Sequence, residues 1–393
     1  MTAIRAVPLP FDTAVPALSS SAGLRRAALW GLLVSKLVGG WGVQWDIQWH
    51  VLIGRDSFWI APHLMTYAGV GLSVLLSWGV IAWESLLAGR GRTSADGVTI
   101  RLLGLTGTRG FHLAAWGIAL TVLAAPIDDF WHRLFGLDVT IWSPPHLLGI
   151  FGAAVNTVGC LLIATEVYAA ERGGKLLATI LFGAMLYGTL HLVVDPSNLV
   201  AYRRGGVFFY TLAILSALII PSALVTTARV ARTRWAPVLV LLVIIPMGIV
   251  GSKIAQLGFA WLEPVSVIEE EIAKDSASPI ALAHAIAMKN GTTPGRTGGV
   301  LHIFALLPAV VMAALDPRRR PRLATVGYAA TLFVAVGVVL SARPAFAPLV
   351  PGLVDTLAAF ALTIVAAVIG GTVARALSDS VTLLSSPDHG HRA

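Results

Sequence analysis

The sequence predicts an all-α fold, a polytopic bundle of about ten transmembrane helices with both termini in the cytoplasm. Of its 393 residues, 56% are hydrophobic and only 12% are charged. A soluble domain of this length needs more charge to cover its surface, so the lipid bilayer is the expected surrounding. Apolar stretches long enough to cross roughly 30 Å of hydrocarbon also recur along the chain. They cover residues 27–47, 60–84, 111–128, 145–168, 175–193, 206–226, 236–257, 299–315, 323–341 and 354–376.

The predicted organisation is one transmembrane bundle between two short tails. The N-terminal tail, 1–26, has no apolar core of the signal-peptide type, so we expect it to be uncleaved and cytoplasmic. The bundle covers 27–376, and a cytoplasmic tail follows at 377–393. A long outer segment, 258–298, contains Pro279–Met288, which we interpret as a surface or re-entrant helix.

The positions of lysine and arginine set the predicted orientation. With a cytoplasmic N-terminus, 18 of the 28 basic residues fall in cytoplasmic segments, 8 in outer segments and 2 within spans. This asymmetry is what the positive-inside rule requires of a bacterial-type inner membrane protein. Because it also accounts for the net charge of +8, no nucleic-acid partner is predicted. The single cysteine excludes a disulfide framework and a thiolate metal cluster within the chain.

Histidines and acidic residues, in contrast, fall mainly on the predicted non-cytoplasmic face. Of the 20 acidic residues, 12 are assigned to that side. Polar groups at the ends of membrane helices are costly and tend to be functional. We therefore expect the protein to act at its outer surface. The histidines assigned there are His50, His63, His132, His146, His191, His284 and His302.

Two segments share the frame D-x-x-W-H-x-x-x-G-x-D, followed by a turn that contains Trp and then by Pro-His. The first begins at Asp46 and ends at His63. The second begins at Asp128 and ends at His146, with one additional residue before its Pro-His. A match at this many fixed offsets predicts the tandem duplication of a helix hairpin. The two predicted hairpins cover 27–88 and 111–171.

The shared frame has the residue types of a metal site. Asp and His four residues apart lie on one helical face, about 5–6 Å apart at Cβ. The second His opens the next helix, where an early Pro is favoured. Each hairpin can therefore bring together one carboxylate and two imidazoles, a common ligand set for copper, with zinc or iron as alternatives. The candidate ligands are Asp46, His50, His63, Asp128, His132 and His146.

Further polar residues are candidates for supporting these ligands. Asp56 and Asp138 lie at the end of each frame and could orient an imidazole N–H. His191 and Asp195 form a third Asp/His pair at the same spacing, without Trp or Pro-His, and His302 lies one turn into a later span. Two simpler interpretations stay open. The tryptophans are typical of an interfacial aromatic belt, and the polar side chains can form a purely structural hydrogen-bond network.

The run from Asp46 to His63, D-I-Q-W-H-V-L-I-G-R-D-S-F-W-I-A-P-H, resembles a segment of a known family. It is similar to the metal-binding segment of the C subunit of copper membrane monooxygenases, the particulate methane and ammonia monooxygenases. The resemblance implies that Asp46, His50 and His63 ligate copper, with Arg55 and Asp56 matching the family's Arg-Asp pair. It also implies partners, either additional subunits or a homo-oligomer. Through the internal repeat, the second frame becomes a second candidate copper set.

Three functions are compatible with these residues. The first is a copper-dependent, monooxygenase-like membrane oxidoreductase acting on a small apolar or membrane-dissolved substrate from the outer face. The second is a protein that binds or transports copper or zinc without catalysis. Against transport, few polar residues besides Lys36 and Asn156 lie at mid-membrane depth. The third is a zinc-dependent membrane hydrolase that activates water. Haem ligation is disfavoured because each frame pairs its His with an Asp.

Overall fold

The computed structural model describes residues 21–54, 57–92, 99–135, 141–169, 171–201, 204–294 and 303–385. Within these ranges, eight helical segments are long and apolar enough to cross a membrane. The chain is therefore an all-α, multi-pass membrane-type bundle, as its composition predicts. The eight segments are Ala61–Gly89, Arg109–Phe135, Pro144–Val167, Arg172–Val194, Gly206–Val230, Ala236–Leu262, Pro321–Ser341 and Leu353–Leu384.

Two of the ten predicted spans are not among these eight. The stretch 27–47 lies within α1, Ser21–Leu52, whose 32 residues are long enough to cross a bilayer. Lys36, together with tryptophans, glycines and glutamines, lowers the hydropathy of that helix. The stretch 299–315 is described only from residue 303 and contains α11, Leu306–Ala314. The count of ten spans, and the cytoplasmic termini that depend on it, stay predictions.

The first four long helices form two hairpins. Helix α1 packs along α2 (Ala61–Gly89), and α3 (Arg109–Phe135) packs along α4 (Pro144–Val167). Helix α3 contains Pro126 and extends beyond the predicted stretch 111–128 at both ends. Proline is tolerated inside membrane helices where neighbouring groups satisfy the freed carbonyl. The longer helix carries Asp128 and His132 on its last turns.

A small β-hairpin, which the sequence analysis did not predict, precedes α3. Strands β1 (Thr99–Leu102) and β2 (Leu105–Thr108) pair antiparallel. The two turn residues, Leu103 and Gly104, have φ angles of 50° and 82°. Positive φ at both turn positions is the type I′ geometry, whose twist suits a two-residue hairpin.

The remaining helices complete the bundle. Their bounds are α5 Arg172–Ala201, α6 Thr211–Ile219, α7 Pro221–Val230, α8 Ala236–Leu262, α9 Ile268–Lys274, α10 Pro279–Lys289, α12 Pro321–Ser341 and α13 Leu353–Leu384, with 3-10 turns at Gly206–Tyr210 and Ala347–Leu349. Helix α5 packs against both α4 and α8, while α13 packs against α6, α7 and α12. Helix α5 therefore packs beside the second hairpin, and α8 packs beside α1 of the first hairpin.

The long segment after α8 is fixed to the end of α1. Its helix α10 covers the stretch Pro279–Met288, where the sequence analysis expects a helix. The hydroxyl of Ser278, at the start of α10, accepts a hydrogen bond from the Ala281 amide at 3.1 Å. On the same helix, His284 Nε2 lies 2.6 Å from the carbonyl oxygen of Val51. This contact holds α10 against α1.

A buried ion pair joins α1 to α2 at the other end of their hairpin. Arg25 Nε lies 2.5 Å from Glu84 Oε1, and the two side chains are only 5% and 4% exposed. Moving two charges out of water is costly, and the opposite charge of the partner offsets part of that cost. The pair therefore fixes the relative position of the two helices.

Replacing Glu84 by Gln should destabilise the protein, because the Arg25 guanidinium would stay buried without its carboxylate. Removing one partner of a buried pair typically costs about 3–5 kcal/mol. We expect a clear decrease in the thermal unfolding midpoint of detergent-purified protein, followed by circular dichroism.

The matched control is the exposed pair of Arg26 and Glu171, which are 3.5 Å apart with side chains 51% and 56% exposed. Glu171→Gln should change the free energy of unfolding by less than about 1 kcal/mol. Similar effects of Glu84→Gln and Glu171→Gln would show that burial does not determine the contribution of the Arg25–Glu84 pair.

Candidate metal centre

The second hairpin brings Asp128, His132 and His146 together, and we call these three residues the second cluster. Asp128 and His132 lie one turn apart on α3, and His146 lies in the first turn of α4. Asp128 Oδ1 is 3.7 Å from His132 Nε2 and 3.4 Å from His146 Nε2. One potential ligand atom from each residue lies within 4.8 Å of the other two. One carboxylate and two imidazoles at this spacing can hold a transition-metal ion.

Two of these potential ligand atoms are buried and form no hydrogen bond. Asp128 Oδ1 and His132 Nε2 are both shielded from solvent, and neither has a hydrogen-bond partner among the described residues. An unsatisfied buried polar atom costs about 1–3 kcal/mol. Donation of their lone pairs to a metal ion would offset this cost. The second cluster therefore suits a metal ion for two reasons: its residues are common metal ligands, and two of its potential ligand atoms have no hydrogen bond.

The first hairpin has the same arrangement, with Asp46, His50 and His63 as the first cluster. Asp46 Oδ1 is 3.4 Å from His50 Nδ1 and 3.1 Å from His63 Nε2. The centroids of the two imidazoles are 6.1 Å apart, against 6.3 Å in the second cluster. In both hairpins, a carboxylate from one helix thus lies between an imidazole of the same helix and an imidazole of the next helix.

The first cluster differs in the nitrogen that His50 directs at the carboxylate. That atom is Nδ1, which also lies 3.0 Å from the main-chain carbonyl oxygen of Asp46. Among the described residues, three ligand atoms within 4.8 Å of one another are found in the second cluster and not in the first. We therefore expect the second cluster to be the tighter metal site.

A main-chain carbonyl orients the third imidazole of the first cluster. His63 Nδ1 lies 2.9 Å from the carbonyl oxygen of Ser57. A proton on Nδ1 donated to this carbonyl leaves the lone pair of Nε2 directed at Asp46, and such a bond is typical support for a metal-binding histidine. The sequence analysis assigned this type of role to Asp56 and missed Ser57, because a main-chain acceptor leaves no signal in residue type.

Small residues allow the two helices of each hairpin to approach closely. A Cβ added to Gly69 would meet the backbone of Gly39, and a Cβ added to Gly152 would meet the backbone of Thr121. The two contacts occupy matching positions when the two frames are aligned. Close approach through small residues is a common way for membrane helices to pack. It brings the carboxylate of one helix within reach of the histidine that opens the next.

Both clusters line a single cavity of about 2380 Å³ inside the bundle. All six candidate ligands contribute to its wall, together with mostly apolar side chains from both hairpins, α5, α8 and α10. Ligand pockets are typically concave and mainly apolar, with a few convergent polar groups. The two clusters thus face a common space that is large enough for an organic molecule.

The other predicted site residues have different outcomes. His191 lines the same cavity, is 7% exposed and lies against Tyr187 with ring centroids 5.5 Å apart. It belongs to neither cluster. The predictions for the remaining candidates stay predictions, because their side chains lie outside the described part of the chain. These are Asp56, Asp138, Asp195 and His302.

The sequence analysis noted Lys36 and Asn156 but did not predict that they are in contact. Lys36 Nζ lies 2.5 Å from Asn156 Oδ1, and the Ser73 hydroxyl lies 3.5 Å from the same oxygen. Asn156 and Ser73 each follow the Pro-His histidine of their own hairpin by ten residues. Aligning the two frames beyond the Pro-His could therefore have indicated that these two positions are equivalent.

No protein-family model matches this chain, and no match is found among curated proteins or among solved structures. The resemblance to copper membrane monooxygenases therefore rests on the run from Asp46 to His63 alone. The two clusters and the cavity that they share are therefore the features that bear on function.

Proposed function

We propose that this chain is a copper-binding membrane oxidoreductase with its metal sites in the two clusters. The observation that carries the proposal is the second cluster, whose three potential ligand atoms lie within 4.8 Å of one another. Two of those atoms, on Asp128 and His132, are buried without a hydrogen bond. The first cluster, with the same residue types in the same arrangement, is the second site.

The choice of copper rests on the donor set and on the resemblance. Imidazole suits copper, zinc and iron, and the carboxylate adds a negative oxygen that offsets part of the charge of the ion. The run from Asp46 to His63 resembles a copper-binding segment, which favours copper among these metals. Bound copper supplies one-electron redox chemistry. The residues of the chain would hold the ion and orient the imidazoles.

The cavity favours chemistry on a substrate over movement of metal across the membrane. Its mostly apolar wall beside the two clusters suits a small apolar or membrane-dissolved molecule. A metal pathway needs polar or anionic residues at mid-membrane depth. Lys36 lines the cavity, and in its protonated form it would repel a metal cation.

The membrane topology belongs to the same proposal. The excess of basic residues, 18 against 8, favours ten spans with cytoplasmic termini, and the two clusters then lie at the non-cytoplasmic face of a bacterial-type inner membrane. Matching helix contacts in the two hairpins support the internal duplication. Additional subunits or a homo-oligomer follow from the resemblance.

Metal content tests the assignment of the ligands. We expect detergent-purified, copper-loaded protein to lose its most tightly held copper in the double variant Asp128→Asn/His146→Gln, because the second cluster has the closer ligand atoms. The matched variant Asp46→Asn/His63→Gln should lose the more weakly held copper of the first cluster. Each affinity should fall at least about tenfold. Elemental mass spectrometry after dialysis against graded chelator concentrations measures both losses.

The control variant is Asp129→Asn, next to the second cluster, whose carboxylate lies 2.7 Å from the Arg133 guanidinium. It should retain the copper content of the unmodified protein. Retention of zinc in preference to copper would favour the hydrolase. Equal copper in the unmodified protein and in both double variants would contradict the proposed sites.

Redox behaviour tests the oxidoreductase assignment. Copper-loaded protein should give a Cu(II) electron paramagnetic resonance signal with nitrogen hyperfine splitting from imidazole. Ascorbate should remove the signal, and oxygen should restore it. A spectrum like that of copper in water, or one that ascorbate leaves unchanged, would be evidence against redox function.

A further inference from the structure

Lys36 is a basic residue in the wall of the cavity, and it lies on α1 well away from the first cluster. It lies ten residues before Asp46, which is about 15 Å along the helix axis. It lines the same cavity as the six candidate ligands. An ionisable side chain in a membrane-spanning region is expensive, and it normally pairs with another group or marks a functional site.

Asn156 contacts Lys36 without balancing its charge. The Asn156 amide nitrogen donates to the Ala114 carbonyl at 2.7 Å. This bond turns Oδ1 of the amide towards Lys36, where it accepts a hydrogen bond from Nζ at 2.5 Å. An ammonium group has three N–H donors and a full charge. A neutral amide oxygen that accepts one of them leaves donors and charge for another partner.

The described residues do not supply a counter-anion. Their ion pairs do not include Lys36. The two carboxylates of the clusters, Asp46 and Asp128, lie beside histidines near the far ends of α1 and α3. A cation that faces the mainly apolar part of the cavity, away from these carboxylates, is placed to receive an anionic group from a bound molecule.

The wall between Lys36 and the clusters is mainly apolar, although Gln44 and Thr66 also line it. Val70 lies on α2 between His63 and Ser73, and Ile150 lies on α4 between His146 and Asn156. Both side chains line the cavity. A molecule that fills this space therefore needs an anionic group at one end and a hydrocarbon chain along the remainder.

We propose that the cavity binds an anionic single-chain amphiphile, with a carboxylate-type headgroup on Lys36 and the chain extending towards the two clusters. This inference deepens the proposed function and rests on it in one respect. If the clusters hold copper, a chain anchored at Lys36 presents to the metal those carbons that are distant from the headgroup. Binding of the amphiphile itself requires no metal.

Two other cations of the cavity wall offer an alternative position for the headgroup. Arg204 and Arg343 line the cavity and are exposed. A headgroup bound at this exposed rim would place the chain in the opposite direction. The experiment must therefore separate the partly buried Lys36 from the two exposed arginines.

Equilibrium binding of tritiated myristate to detergent-purified protein, followed by scintillation proximity, tests the inference. Myristyl alcohol has the same chain without the charge, and acetate has the carboxylate without the chain. In the unmodified protein, each should compete at least about tenfold less well than unlabelled myristate. Lys36→Met, which keeps the length of the side chain, should weaken myristate binding about tenfold or more. Lys36→Arg should retain most of it.

The matched control is Arg343→Met, which removes an exposed cation from the same cavity and should leave myristate binding unchanged. Loss of binding in Arg343→Met but not in Lys36→Met would overturn the position of the headgroup. Equal competition by myristyl alcohol would overturn the need for an anion, and equal competition by acetate would overturn the need for a chain. These competition results come from the unmodified protein and do not depend on the folding of any variant.

Two further measurements separate this inference from the proposed function. The variant Asp128→Asn/His146→Gln should bind myristate normally although it has lost its most tightly held copper. Lys36→Met should retain copper although it binds myristate weakly. Loss of both properties in both variants would show a general structural defect and would overturn the separation of the two sites.

Discussion

Within each hairpin, small residues let two helix backbones come close enough for a carboxylate on one helix to reach an imidazole on the next. Membrane helices satisfy their own backbone hydrogen bonds, so their association depends on close van der Waals packing. In the first hairpin, Gly69 lies against Gly39. Near one end of the same hairpin, Asp46 Oδ1 lies 3.1 Å from His63 Nε2. A side chain at Gly69 would meet the backbone of α1, separate the helices and open the cluster. The shape of the cavity depends on the same approach, because both hairpins line it.

The polar groups of these hairpins divide into two types. At one end of the first hairpin, Arg25 and Glu84 balance each other's charge, so their burial contributes to the structure. In the cavity, buried atoms of Asp128 and His132 form no hydrogen bond, and Lys36 has no carboxylate among its described partners. Buried polar groups in folded proteins are almost always satisfied. Unsatisfied atoms also occur away from the cavity, such as the ring nitrogens of His112, so the groups expected to meet a metal ion or a bound molecule are the unsatisfied ones that line the cavity.

The sequence was sufficient to predict the two clusters because their geometry is local. Asp and His four residues apart share a helix face, and the Pro-His fixes the start of the next helix. The contacts of Lys36 with Asn156 and of His284 with the Val51 carbonyl depend on tertiary packing, and no local pattern reveals them. The rotamer of His50 makes the first cluster different from the second although the residue types are identical. The β-hairpin was missed because its turn begins with a leucine at positive φ, where Asn or Gly is usual.

The central claim is that Asp128, His132 and His146 together hold a metal ion. Its most direct test is a structure of copper-loaded protein with anomalous scattering recorded at the copper absorption edge. We expect an anomalous peak about 2.0–2.2 Å from Asp128 Oδ1, His132 Nε2 and His146 Nε2, with a weaker peak at the first cluster. A copper-loaded protein with no peak at either cluster, and with the imidazoles hydrogen-bonded to protein groups instead, would contradict the account.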